Sequence, residues 1–182
     1  MEEPNVRLSI LVPFALAIAI PLTLPACSDG ETTSSSTGDG TCYDYAGYDG
    51  MTPAVTFKGD VLPIFRTSCG LSASCHGNPS GPIAQPYLGP PSAAGEPTQT
   101  DIDAIFAANV GVASVKETGM QIVKSGDPAN SFLMHKMDNS LKCESLKCGG
   151  NCGGPMPLGS PPLAQEQRDT VRRWIAQGAK ND

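Results

Sequence analysis

The sequence predicts a small all-α domain of short helices joined by long Pro/Gly loops and stapled by disulfides. Three observations lead there. Apolar residues recur at helical spacing in four separated segments, while the alternating pattern of a strand is almost absent. The 182 residues include 20 Gly and 17 Pro, and only 16% are charged, a composition too rich in loops for a plain bundle or coiled coil. Seven cysteines stand against two histidines, in a chain with few apolar side chains, so a covalent staple, a cofactor or both must supplement the core.

Each element follows from local signals. Phe57 to Ser68 reads as a short helix with Asp60 as N-cap, Pro63 at N3 and Val61, Ile64 and Phe65 on one face. Residues 77–99 hold six prolines and predict an irregular wrap over the surface. Thr100 is read as the cap of the next helix, which carries Ile102, Ile105 and Phe106. Asp127-Pro128, a cap followed by Pro at N1, opens a third helix with Phe132, Leu133, Lys136 and Met137. Leu163 to Gln177 is the clearest helix: Val171, Trp174 and Ile175 form its buried stripe and Gly178 its C′ residue.

The acidic balance, 18 Asp and Glu against 12 Lys and Arg for a formal charge of −6, argues against a nucleic-acid binder, whose affinity depends on basic groups neutralising phosphates. No Gly-rich phosphate loop follows a strand, and neither histidine stands near a nucleophile elbow, so hydrolase chemistry has no candidate triad. The chain is read as a carrier and not an enzyme.

At the N-terminus, Leu8 to Leu24 is mostly apolar but is interrupted by Pro13 and Pro21, leaving it shorter than the ~20 residues of a spanning helix. Leu24-Pro25-Ala26-Cys27 follows. These residues resemble a bacterial lipobox, which implies cleavage before Cys27 and lipidation of its thiol; an ordinary secretory signal with a nearby cysteine is the competing reading. Residues 28–41 contain no apolar side chain and read as a flexible tether. The chain therefore divides into a lipoprotein signal peptide (1–26), a lipidated cysteine with its tether (27–51) and a domain (52–182). The expected place is the cell envelope, exported and lipid-anchored, facing the periplasm or the cell surface.

With Cys27 lipidated, six cysteines remain. In an oxidising compartment an even number implies disulfides, and six allow 15 pairings. Zinc held by Cys143, Cys148 and Cys152 would lack a fourth nearby ligand. Cys69 and Cys75 stand apart from these, because Cys75 is followed directly by His76 and Gly77. A Cys-His pair behind a helix, preceded by another cysteine, is the layout that attaches haem c: sulfurs to the porphyrin, imidazole to the iron. The spacing here is C-x5-C-H, three residues longer than the usual C-x2-C-H. Far downstream Met156 stands between Pro155 and Pro157, a rigid presentation suited to a sixth ligand.

The order of these parts resembles the class I cytochrome c fold, particularly the small cytochrome c-like domains of planctomycete type and related bacterial lipoproteins. The matching pieces are Val61–Phe65, Cys69 with Cys75-His76-Gly77, Gly126-Asp127-Pro128 with Ser131, Leu133 and Lys136, Met156-Pro157-Leu158-Gly159, and Arg173-Trp174-Ile175 with Gly178-Ala179. They span roughly residues 55–180. The resemblance implies one haem c with thioethers at Cys69 and Cys75, axial ligands His76 and Met156, and redox protein partners at the membrane. It also implies that the first and last helices pack with Trp174 against the Val61/Phe65 face. Cys42, Cys143, Cys148 and Cys152 are then the disulfide candidates. The rival is a haem-free, disulfide-stapled binding or scaffold lipoprotein with a Cys69–Cys75 bridge. His135 competes as an axial ligand but reads as a solvent-facing helix residue, Met134 and Met137 read as core fillers, and Tyr43, Tyr45 and Tyr48 read as covering the domain edge where the tether joins.

Overall fold

Residues 42–182 are described in the computed structural model of the chain. Among them helices are the only extended elements, and β pairing is confined to isolated bridges of Val110 with Val123, Ala113 with Gln121 and Gln121 with Ser131. Disulfides join Cys42 to Cys143 and Cys148 to Cys152, so the domain is all-α and covalently stapled. No helix among the described residues is long and apolar enough to cross a membrane. The leader at 1–26, Cys27 and the polar run 28–41 lie outside the described residues.

The cap of the first helical segment, Thr56, lies four residues before the expected one. Thr56 Oγ1 accepts the Gly59 N–H at 3.2 Å, and the Asp60 carboxylate takes both the N–H and the hydroxyl of Thr56 at 2.7 and 2.9 Å. Asp60 therefore serves the cap from inside the helix. A π-turn, Phe57–Val61, leads into α1, Leu62–Ser68, and Pro63 lies in the first turn of α1 where its missing N–H costs nothing. The wrap then returns against the end of α1 so closely that a Cβ on Gly70 would stand 2.5 Å from the Gly89 carbonyl oxygen.

α2, Gln99–Asn109, is capped by Thr98 and not by Thr100, through a reciprocal capping box with Asp101. The third predicted helix is two pieces. Asp127 caps a 3₁₀ turn, Pro128–Asn130; Ser131 is extended, and α3 begins afresh as Phe132–Met137. The break is held by the buried Ser131 hydroxyl, which accepts the Lys124 N–H at 2.8 Å and donates to Asp127 O at 2.9 Å.

α4, Gln165–Ala176, buries Val171, Trp174 and Ile175. Trp174 meets Phe57, Phe65 and Phe106 at ring-centroid distances of 5.3, 6.2 and 5.9 Å. This aromatic cluster locks α4 onto the π-turn, α1 and α2, and truncating Trp174 to Ala would cost about 3–5 kcal/mol. Gly178, at φ +103°, ends the helix.

The other face of α4 is buried as well. Arg168 and Arg172 are 4% and 0% exposed. Both bind Asp138, at the end of α3: Arg168 Nη1 at 2.7 Å, and Arg172 Nη2 at 2.7 Å to each carboxylate oxygen, while Asp169 also pairs with Arg172. Tyr43, Tyr45 and Tyr48 surround the Arg172 guanidinium. With Cys42 bonded to Cys143 and the Gln177 amide donating to Gly50 O at 3.0 Å, residues 42–50 pack against the domain.

His135 differs from the expectation. It is buried, not solvent-facing, with Nδ1 hydrogen-bonded to Ser140 Oγ at 3.0 Å and Nε2 donating to Ala129 O at 3.1 Å. Both ring nitrogens are occupied, because α3 is too short and too enclosed to present a solvated face.

Candidate functional site

The end of α1 supplies the first groups of the site. The chain from Cys69 to His76 closes on itself, with the His76 N–H donating to Cys69 O at 3.0 Å and the Cys75 N–H to Ser72 O at 3.1 Å. Five residues separate the two cysteines in sequence, yet the loop returns His76 beside Cys69. The wrap then passes over the histidine: the Leu88 N–H donates to His76 O at 2.9 Å, and His76 Nδ1 lies 2.7 Å from Pro86 O. A carbonyl only accepts, so Nδ1 carries the proton and the neutral ring leaves Nε2 with a free lone pair. Burial favours this neutral form by lowering the His76 pKa, with the Pro86 carbonyl opposing and Lys136 reinforcing.

Cys69 is buried and Cys75 half-buried, and neither is in a disulfide. The bridge of the rival reading is therefore not formed. Burial, with Cys75 adding to it, pushes the Cys69 thiol up to about 12. Cys143, Cys148 and Cys152 all have their sulfur in disulfides, which removes the thiolates that zinc would need. Among the described residues no three His, Cys, Asp or Glu gather as a metal-binding group.

Met156 approaches from the opposite strip of chain. Its loop is closed at the root by Cys148–Cys152, and its N–H donates to Lys136 O at 2.9 Å. Lys136 also sends its ammonium to Cys152 O and to Gly154 O, the latter at 2.8 Å, while lying 5.2 Å from the centre of the Phe132 ring. Burial and, less strongly, Lys116 lower its pKa.

These strips enclose an apolar cleft with two adjoining lobes of about 240 and 440 Å³, the larger within the size class of ligand and cofactor sites. Cys69, His76 and Met156 line both lobes and Cys75 lines one. Leu88, Ile122, Phe132, Leu133 and Met137 form the apolar wall; Met137 is thus wall as well as core, whereas Met134 is core alone. Among the described residues, four of the five exposed large apolar side chains, Leu71, Ile83, Val115 and Leu158, stand at the same cleft. The two stretches that form most of its border, residues 69–95 and 148–165, contain no Asp, Glu, Lys or Arg.

The four residues singled out by motif are therefore brought to one place. Two contributors were not assigned a role from sequence: the Pro86 carbonyl, which is backbone and carries no side-chain signal, and Lys136, whose partners lie 16 and 18 residues further on. A Pro run after a Cys-His pair was the available hint that backbone would be laid over the ring. Comparison with family models, curated proteins and solved structures finds no match to this chain.

Proposed function

We propose that the chain is a c-type cytochrome-like electron-transfer domain that holds one haem and is exported and lipid-anchored at Cys27. One observation carries the reading: two unpaired thiols, an imidazole with only Nε2 free and a proline-flanked thioether border a single apolar cleft. This donor set fits haem c, and no other described group in the cleft requires a different cofactor.

Haem would supply a one-electron iron couple here. Cys69 and Cys75 would attach it, each thiol adding across a vinyl double bond so that sulfur bonds one carbon and hydrogen the other. His76 would ligate through Nε2, with the Pro86 carbonyl fixing ring orientation and tautomer. Met156 would ligate through sulfur, a soft neutral donor that favours the reduced state and raises the potential. The apolar wall excludes water and acts in the same direction. Redox proteins at the membrane are the partners that such a tethered carrier would serve.

The test is expression of the full chain with cytochrome maturation factors, followed by a pyridine-haemochrome spectrum and a haem-stained denaturing gel. One haem per chain, surviving denaturation, is expected. A chain that folds and stains for none would overturn the reading and leave a haem-free binding domain.

A further inference from the structure

We infer that Lys136 is the positioning residue that holds the Met156 loop against the cleft. This deepens the reading above and rests on the axial role given there to Met156.

The loop has little means of ordering itself. Of the seven residues 148–154, four are glycine, and glycine loses more backbone freedom on ordering than any other residue. Few side chains in this run can pack. The Cys148–Cys152 disulfide closes its root, but the stretch from Gly153 to Met156 lies beyond that closure.

Lys136 supplies the missing hold from both ends of the residue. Its ammonium donates to Cys152 O and Gly154 O, the carbonyls on either side of Gly153. Its own carbonyl, in the last turn of α3, accepts the Met156 N–H at 2.9 Å; such carbonyls have no partner within their helix and need one from outside. Three hydrogen bonds from one residue therefore bracket residues 152–156. The Phe132 ring, one helical turn earlier, holds the lysine head in place. Gly153, at φ +73°, lets the chain turn tightly around the ammonium: a Cβ there would stand 2.9 Å from Lys136 Nζ. Cationic donors to carbonyls in a half-buried place are stronger than neutral ones, and the side chain at 136 needs a long stem to reach both acceptors.

The experiment is amide hydrogen exchange on the full chain, comparing Lys136→Met, which keeps the stem and loses the donors, with Lys136→Arg, which keeps donors and charge. In Lys136→Met, exchange in a peptide covering residues 150–158 should accelerate on the order of tenfold, while a peptide from α4 stays as in the wild type. Lys136→Arg should restore much of the protection. Should Lys136→Met fail to fold, Lys136→Gln, which keeps one amide donor group, should show an intermediate acceleration in the same peptide. Unchanged exchange in residues 150–158, or equal acceleration throughout the chain, would overturn the inference.

In haem-loaded protein, Lys136→Met should also weaken the thioether charge-transfer absorbance at the red end of the ferric spectrum and lower the potential, with Lys136→Arg near the wild type. A faster loop with an unchanged ferric spectrum would show that Lys136 does not set the ligand, and would overturn the positioning role. If the wild type takes up no haem, the axial role of Met156 fails separately, and amide exchange on that same chain still decides whether Lys136 holds the loop.

Discussion

The guanidinium carbon of Arg172 stands 3.7 Å from the centre of the Tyr43 ring, and Asp138 binds the same guanidinium through both of its oxygens. One buried cation is thus sandwiched between an aromatic face from the N-terminal arm and a carboxylate from the end of α3. Because Arg168 shares that carboxylate, Asp138 is a counter-charge to two buried arginines, of which Arg172 also pairs with Asp169. Removing Asp138 would leave two buried cations with less negative charge beside them, Asp169 still pairing with Arg172. Asp138→Ala should lose about 3–5 kcal/mol of stability in urea unfolding, far more than removal of an exposed carboxylate. A loss below 1 kcal/mol would mean that the arginines find water or another partner.

The start of α2 provides a pH-dependent test. The Asp101 carboxylate accepts the Thr98 hydroxyl at 2.6 Å and the Thr98 N–H at 2.8 Å, and the hydroxyl accepts the Asp101 N–H at 3.2 Å. The Thr98 hydroxyl is the main cause that holds the Asp101 pKa below its ordinary value. A carboxylate depressed in the folded state adds stability above its unfolded pKa and loses it as pH falls through the lower folded one. Thr98→Ala should therefore cost about 1 kcal/mol at neutral pH, and part of that difference from the wild type should disappear below about pH 4. A difference that grows on acidification would contradict the assignment.

The two free thiols among the described residues should react unequally in haem-free, folded protein whose Cys27 is lipidated or replaced by Ser. Cys75 is half-buried, whereas Cys69 is buried and its thiol is pushed up to about 12. The thiolate is the reactive form, so the buried Cys69 should react much more slowly. Maleimide labelling followed by intact-mass measurement should show one rapid adduct, on Cys75. Two rapid adducts would contradict the burial of Cys69, and none would indicate a third disulfide.

Met156→Ala separates an axial ligand from a lining side chain. In haem-loaded protein it should leave the fold and the attached haem in place, abolish the weak red charge-transfer absorbance, lower the potential and admit cyanide or imidazole to the iron. If the visible spectrum does not change, another residue is the sixth ligand. Both His135 nitrogens are already hydrogen-bonded, so His135 could take over only by breaking out of α3.

The parts of the fold legible in sequence are those set by local periodicity or adjacency. Val171, Trp174 and Ile175 repeat at helical spacing, and Cys75-His76 are neighbours in the chain, so neither needed the tertiary structure. The helix starts at Thr56 and Thr98 were readable in principle, since each has an aspartate three or four residues on; Asp60 and Thr100 lay closer to the apolar residues and drew the boundary inward. Arg168 and Arg172 could not be placed. On the surface of an amphipathic helix they look solvated, and their partner Asp138 lies 30 and 34 residues away. The Ser131 break in the third helix was hidden for the same reason, because a serine hydroxyl bonded to Lys124 N–H is a tertiary fact.

The border of the cleft has a kinetic consequence. Residues 69–95 and 148–165 carry no charged side chain although the chain as a whole is acidic, and Lys116 and Lys136 are the charged side chains that line the cleft, so a macromolecule approaching this face meets a weak local field. Encounter there should proceed close to the unsteered rate of about 10⁵–10⁶ M⁻¹s⁻¹, with a weak dependence on ionic strength. Selectivity must then come after first contact, from the fit and dehydration of Leu71, Ile83, Val115 and Leu158. A face of this kind gains more from being kept near its target than from long-range attraction.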